Sequence, residues 1–226
     1  DMTAGLSLGE YSAIAAAGGM TEIERHPSGE KTGDPDAEHR TGRRRVHVCG
    51  HGYGCGEDRG SDRSIDGVTI ANYNCPGQIV ITGEKAGVEK AAEALKEAGA
   101  KRTVMLNVSG PFHSPMLKPA GEELMKELQE VSLSELKIPY VTNVTTEIIS
   151  DISRTKELLK EQVSSPVRWM QSMEVMIADG VDTFIEIGPG RTLAGFMKKI
   201  NKEVKVYNIA ALSDIEKVAA EMEASC

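Results

Sequence analysis

From Gly67 onward the chain alternates between short β-branched runs and amphipathic stretches, and this alternation restricts it to folds that layer strands against helices. The runs VTIANYN, QIVITG, RTVMLNVS, KIPYVTNV, TFIEIG and VKVYNI read as strands. Between them, EKAGVEKAAEALKEAG, MLKPAGEELMKELQEV, SRTKELLKEQV, PVRWMQSMEVMIADG and GRTLAGFMKKINK carry apolar residues three and four apart and read as helices. Such βα units predict a mainly parallel sheet flanked by helices, with VTIANYNCPGQIVITG as an antiparallel hairpin of a smaller subdomain. There, residues 68–72 should pair with 78–82, residues 84–98 should be helical, and Arg102–Leu106 should return as a strand.

Residues 21–66 break this order. They hold four of the five histidines and seven arginines, and no leucine occurs between Leu8 and Leu95. So few apolar groups cannot offset chain entropy, so composition alone predicts an irregular or disordered insertion. His47, Cys49, His51 and Cys55 offer metal-ligand chemistry, but no paired Cys-x-x-Cys spacing supports a zinc site, and no metal is expected. Arg43, Arg44 and Arg45 lack interleaved aromatic partners, and the net charge of −8 argues against nucleic acid as a partner. No apolar run has the length to span a bilayer and no signal peptide is evident. Cys49, Cys55, Cys75 and Cys226 form no disulfide-like framework, and the expected location is the cytoplasm.

The strongest local signal is AGLSLGEYSAIAAAG, with Gly5-Leu6-Ser7-Leu8-Gly9 leading into an Ala-rich helix. A Gly-x-Ser-x-Gly elbow leaves the serine hydroxyl at a helix N-terminus, where the dipole and the N–H of Leu8 can stabilise an oxyanion. A serine nucleophile needs a base, and outside residues 21–66 the one histidine is His113, in the loop VSGPFHSPMLKP. No carboxylate is clearly placed as a third member, so a Ser-His dyad oriented by a backbone carbonyl and a full triad both remain open.

Taken in order, GLSLGEYSA, ANYNCPGQIVITG, VSGPFHSPM, SSPVRWMQSME and FIEIGPGRTLAGFMKK resemble the malonyl-CoA:acyl carrier protein transacylases of bacterial fatty acid synthesis. The resemblance implies an α/β fold with an α/β-hydrolase-like parallel sheet core and an inserted ferredoxin-like α+β subdomain, both incomplete here. Residues 1–24 would belong to the core, 67–107 to the remaining subdomain and 108–226 to the core again, with 25–66 anomalous. It implies transfer of malonyl from malonyl-CoA to the phosphopantetheine thiol of acyl carrier protein through an ester on Ser7, with His113 as base and no cofactor of the enzyme's own. Gln162 would orient His113 through its carbonyl, Phe112 would restrict branched acyl groups, and Asn72 and Asn74 would line the site. A serine hydrolase or thioesterase on the same dyad, or a catalytically dead fragment, are the rival readings.

Two departures accompany the resemblance. The chain opens six residues before Ser7, so the family's N-terminal Gly-Gln-Gly-Ser-Gln region is absent from it. The Arg-Gly-x-x-Met-Gln motif, whose arginine pairs with the malonyl carboxylate, is also missing, and its place falls near Thr32. Codons for HPSGEKTGDPDAEHRTG exist that, read one base later, give IRLVRKRGILMQNTVP, which contains that motif. Residues 25–64 are therefore read as out of frame, which leads to the expectation that the subdomain sheet has an uncovered gap where its first strand should lie.

Overall fold

The computed structural model describes residues 1–20, 43–49, 67–106 and 110–224, and of 43–49 the backbone alone. By contacts the chain divides into two compact units, Asp1–Ser172 and Met173–Cys226.

In the first unit, β1 (Thr3–Ala4) runs parallel to β6 (Tyr140–Val141), which pairs antiparallel with β7 (Ile148–Ile149). From β1 the chain turns sharply into α1 (Gly9–Ala16). This helix ends at Gly18, whose φ of 90° suits a glycine, and Gly19 N–H closes the last turn on the Ile14 carbonyl at 2.9 Å. Two further helices, α3 (Lys118–Glu130) and α4 (Thr155–Gln162), pack beside it. Leu124 and Leu128 lie one turn apart on α3 and meet Ile14, Tyr140 and Leu159, all buried. Each such side chain contributes about 1.5 to 3 kcal/mol by leaving water. Helices α3 and α4 approach closely at Gly121, where a Cβ would lie 2.9 Å from the Lys160 carbonyl oxygen.

A second sheet in this unit is antiparallel and four-stranded. Strands β3 (Val68–Cys75) and β4 (Gln78–Glu84) form the expected hairpin across Pro76 and Gly77, the latter at φ 74°. Then α2 (Lys85–Glu97) presents Val88, Ala91 and Ala92 to Ile81, and β5 (Arg102–Leu106) returns. The expected gap is not there. Strand β2 (Arg43–Cys49) lies between β4 and β5, with Val46 opposite Ile81 on one side and Met105 on the other. Backbone N–H and C=O groups make the ladder, so an arginine-rich strand can complete a sheet without a fully apolar side-chain pattern. The alternation Val46-His47-Val48 is a strand signal hidden by the neighbouring arginines. This strand corrects the expectation of an open sheet and counts against an out-of-frame origin for Arg43–Cys49. The rest of that anomalous stretch, including Thr32, lies outside the described residues.

Helix α5 (Trp169–Ala178) leads into the second unit, where β8 (Thr183–Ile187) and β9 (Lys205–Ile209) pair in parallel. Their crossover is α6 (Thr192–Ile200), and α7 (Asp214–Glu223) follows β9. The Glu186 carboxylate accepts from the Leu193 and Ala194 N–H groups at 3.1 and 2.8 Å, satisfying two donors at the start of α6. The fold is thus mixed α/β. Among the described residues the parallel pairs β1–β6 and β8–β9 belong to separate sheets rather than to the one mainly parallel sheet expected. No helix among the described residues is long and apolar enough to cross a membrane.

Candidate active site

Strand β1 delivers the chain into the turn Gly5-Leu6-Ser7-Leu8-Gly9. A side chain on Gly5 would collide with the Gly9 carbonyl, so the first glycine of the elbow is required by packing. Gly9 faces open space. Ser7 itself sits at φ 56°, a region that residues with a Cβ seldom occupy, and surrounding contacts keep it there. Its N–H donates to Asn143 Oδ1 at 2.7 Å, while Asn143 Nδ2 donates to the Gly5 carbonyl at 2.7 Å. Asn143 therefore clasps the elbow from both sides of Leu6.

The loop after β5 brings His113, buried and also at positive φ (62°), against this turn. Ser7 Oγ and His113 Nε2 are 2.6 Å apart, and His113 Nδ1 lies 2.9 Å from the Gln162 carbonyl oxygen. A carbonyl only accepts, so Nδ1 carries the proton and, in the neutral ring, Nε2 is left to accept from the serine hydroxyl. The backbone N–H of His113 donates to the Val163 carbonyl at 3.0 Å, tying the loop to the end of α4 a second time. The arrangement is a serine-histidine pair whose ring is held by a backbone carbonyl, the geometry of the first of the two alternatives that the sequence leaves open.

Gln162 also uses its side chain. Its Nε2 donates to the Ser7 carbonyl at 3.2 Å and to Glu10 Oε2 at 2.5 Å. Glu10, fully buried, accepts on the same oxygen from the Asn143 N–H at 3.1 Å. Burial pushes its carboxyl up to about 7, against the opposing effect of hydrogen bonds from Gln162, Asn143 and Thr142. Leu8 is 65% exposed, and its N–H has no hydrogen-bond partner among the described residues. It follows Ser7 directly at the start of α1.

The remaining sequence candidates are placed less directly. Phe112 is half-buried beside His113, with its ring 3.6 Å from where a Cβ of Gly110 would stand. Asn72 and Asn74 are buried in β3. Val167 donates to the Ala71 carbonyl and accepts from Tyr73 N–H, both at 2.8 Å, linking this strand to the segment whose Arg168 N–H donates to the Asn143 carbonyl at 3.0 Å. Among the described residues the side chains of Asn72 and Asn74 make no hydrogen bond to Ser7 or His113. Sequence reasoning missed Glu10 and Asn143. Glu10 looks like a solvated residue in the first turn of a helix, and Asn143 carries no periodic or motif signal, since its role depends on a segment more than a hundred residues away.

Comparison with known proteins follows the same lines. Residues 1–221 match the acyl transferase domain family. The malonyl CoA-acyl carrier protein transacylase of Bacillus subtilis (strain 168) is 41% identical, over 96% of this chain and 69% of that protein. The crystal structure of malonyl CoA-acyl carrier protein transacylase from Clostridium perfringens superposes with a TM-score of 0.84 at 40% identity, covering 98% of this chain and 71% of the other. A malonyl-transacylase solved in complex with its type II PKS acyl-carrier protein superposes equally well, with a TM-score of 0.84 at 31% identity, covering 97% and 72%. Sequence and fold agree, and the chain belongs to the malonyl CoA-acyl carrier protein transacylase family, acyltransferases of fatty acid synthesis.

Proposed function

We propose that this chain transfers malonyl from malonyl-CoA to the phosphopantetheine thiol of acyl carrier protein, with Ser7 as nucleophile and His113 as general base. The observation that carries the reading is the 2.6 Å approach of Ser7 Oγ to a His113 Nε2 whose opposite nitrogen is engaged by the Gln162 carbonyl. Ser7 Oγ attacks the thioester carbonyl carbon as its proton passes to Nε2, and the Leu8 N–H supports the oxyanion. The tetrahedral intermediate expels the coenzyme A sulfur, which takes the proton from His113, leaving malonyl as an ester on Ser7. In the second half, the carrier thiol gives its proton to Nε2 and attacks the ester, and the departing Ser7 oxygen recovers that proton. The carrier partner is supported by the related transacylase solved with its acyl-carrier protein. Phe112, next to His113, is assigned to limiting the size of the acyl group. Asn72 and Asn74 are assigned to the wall of the site, and the β3-β4-β2-β5 sheet with α2 to the ferredoxin-like subdomain.

The test is intact-mass analysis after incubation with malonyl-CoA, with Ser7→Ala and His113→Ala as controls. A malonyl adduct on Ser7 that is discharged by the carrier thiol supports transfer. Free malonate without carrier would indicate a hydrolase, and no adduct would sink the reading for this chain. Acetyl-CoA in parallel measures selectivity. With Thr32 where the family's arginine is expected, loss of a charge partner worth about 2 to 5 kcal/mol should leave malonyl little preferred over acetyl.

A further inference from the structure

The scheme above makes no use of Glu10, yet this carboxyl is fully buried and its hydrogen-bond partners are themselves the parts that set the reacting pair. A carboxyl in such a place costs stability unless it is well partnered, and an apolar side chain would pack there with less penalty. Among the described residues no lysine or arginine forms an ion pair with it. Its Oε1 makes no hydrogen bond, although the Thr142 hydroxyl is near enough to favour the charged form weakly.

What Glu10 does instead is connect. One oxygen, Oε2, accepts from Gln162 Nε2 and from the Asn143 N–H, at sequence separations of 152 and 133 residues. Gln162 is the residue whose carbonyl receives His113 Nδ1–H, and Asn143 is the residue whose side chain receives the Ser7 N–H. The nucleophile and the base thus come from separate segments, and each is secured by a residue that bonds the same carboxyl oxygen. We propose that Glu10 is a positioning residue for acyl transfer, fixing Gln162 relative to Asn143 and thereby the spacing of Ser7 Oγ and His113 Nε2. The proposal rests on Ser7 and His113 being the reacting pair.

Misplacing reacting groups by about 1 Å costs on the order of 100-fold in rate. Glu10→Ala should therefore lower the Ser7 acylation rate by about that factor while leaving KM for malonyl-CoA within about twofold, because a fully buried Glu10 offers no surface to substrate. Glu10→Gln should restore the rate to within about threefold, since its amide oxygen can accept the same two hydrogen bonds. Rates are normalised to folded sites by labelling Ser7 with a fluorophosphonate. A second readout is independent of turnover: the downfield His113 Nδ1–H proton resonance should persist in the parent and in Glu10→Gln and be lost to exchange in Glu10→Ala. If Glu10→Ala does not accumulate folded, Gln162→Met severs the link from the other end while keeping the backbone carbonyl, and must show the same loss of rate and resonance. A variant lacking the link that retains both the parental rate per labelled site and the His113 resonance overturns the proposal. Parental acylation in Ser7→Ala or His113→Ala would instead overturn the assignment of the reacting pair on which it rests.

Discussion

The Glu10 carboxyl also gives the chain a pH-dependent stability of unusual sign. Its folded value of about 7 lies above the ordinary 4.5, so between those limits the folded state binds the extra proton and unfolding releases it. Below pH 4.5 the group is neutral in both states and imposes no charge penalty. As pH rises towards 7 the unfolded chain ionises first, and stability falls by roughly 3 kcal/mol, a tenfold change in proton affinity being worth about 1.4 kcal/mol. Glu10→Gln has no such dependence. Urea unfolding should find the variant gaining on the parent by most of that amount between about pH 5 and about pH 7.5. Parallel pH curves for the two proteins would mean that the carboxyl is solvated in solution. At this scale Ser7 and His113 are legible in the sequence, because an elbow motif and a lone loop histidine are local signals. Gln162 is reached through family resemblance alone, and Glu10 and Asn143 are not reached at all.

Among the elements, β2 is the one for which sequence and structure part company. It pairs along seven residues with β4 and along five with β5, so every backbone N–H within the doubly paired stretch faces a neighbouring strand. A proline at Val48, opposite Ile79 and Thr103, removes one of those donors, leaves a facing carbonyl unpaired and should cost at least about 1 to 3 kcal/mol. The midpoint of urea unfolding measures it. An unchanged midpoint for Val48→Pro would show that Arg43–Cys49 does not pair, and would revive the out-of-frame reading for those residues. The helices are easier to read than the strands. All of α2 to α6 fall within stretches whose apolar spacing announces them, and β6 lies within the strand-like run KIPYVTNV, whereas β7 is two residues long and too short to carry a period. Their position follows from the parallel pairing of β6 with β1, the antiparallel pairing of β7 with β6, and the burial of Tyr140 and Ile149 against Ile14.

On the scale of the molecule, the second unit carries a conspicuous share of exposed apolar side chains. Ile187 at the end of β8 is 78% exposed and Leu212 is 86% exposed, with Ile185 and Ile215 also exposed. The two-stranded β8–β9 sheet leaves outward backbone groups on each strand unpaired by β structure among the described residues, and parallel pairs are ordinarily covered on both faces. Concentration-dependent self-association is the expected consequence. Ile187→Lys together with Leu212→Lys should suppress it, as read by light scattering, while moving the unfolding midpoint little, because neither side chain is packed. Association undiminished by both changes would place the sticky surface elsewhere. The same division between local and distant effects runs through the whole chain. The alternation of strand and helix, the elbow at Ser7 and the family all follow from neighbouring residues, since helical period, strand alternation and a turn into a helix are short-range properties. The 2.6 Å approach of Ser7 to His113, the sharing of one Glu10 oxygen by Gln162 and Asn143, and the insertion of β2 between β4 and β5 required the folded chain. Each joins segments tens to more than a hundred residues apart through hydrogen bonds whose partners no local pattern can name.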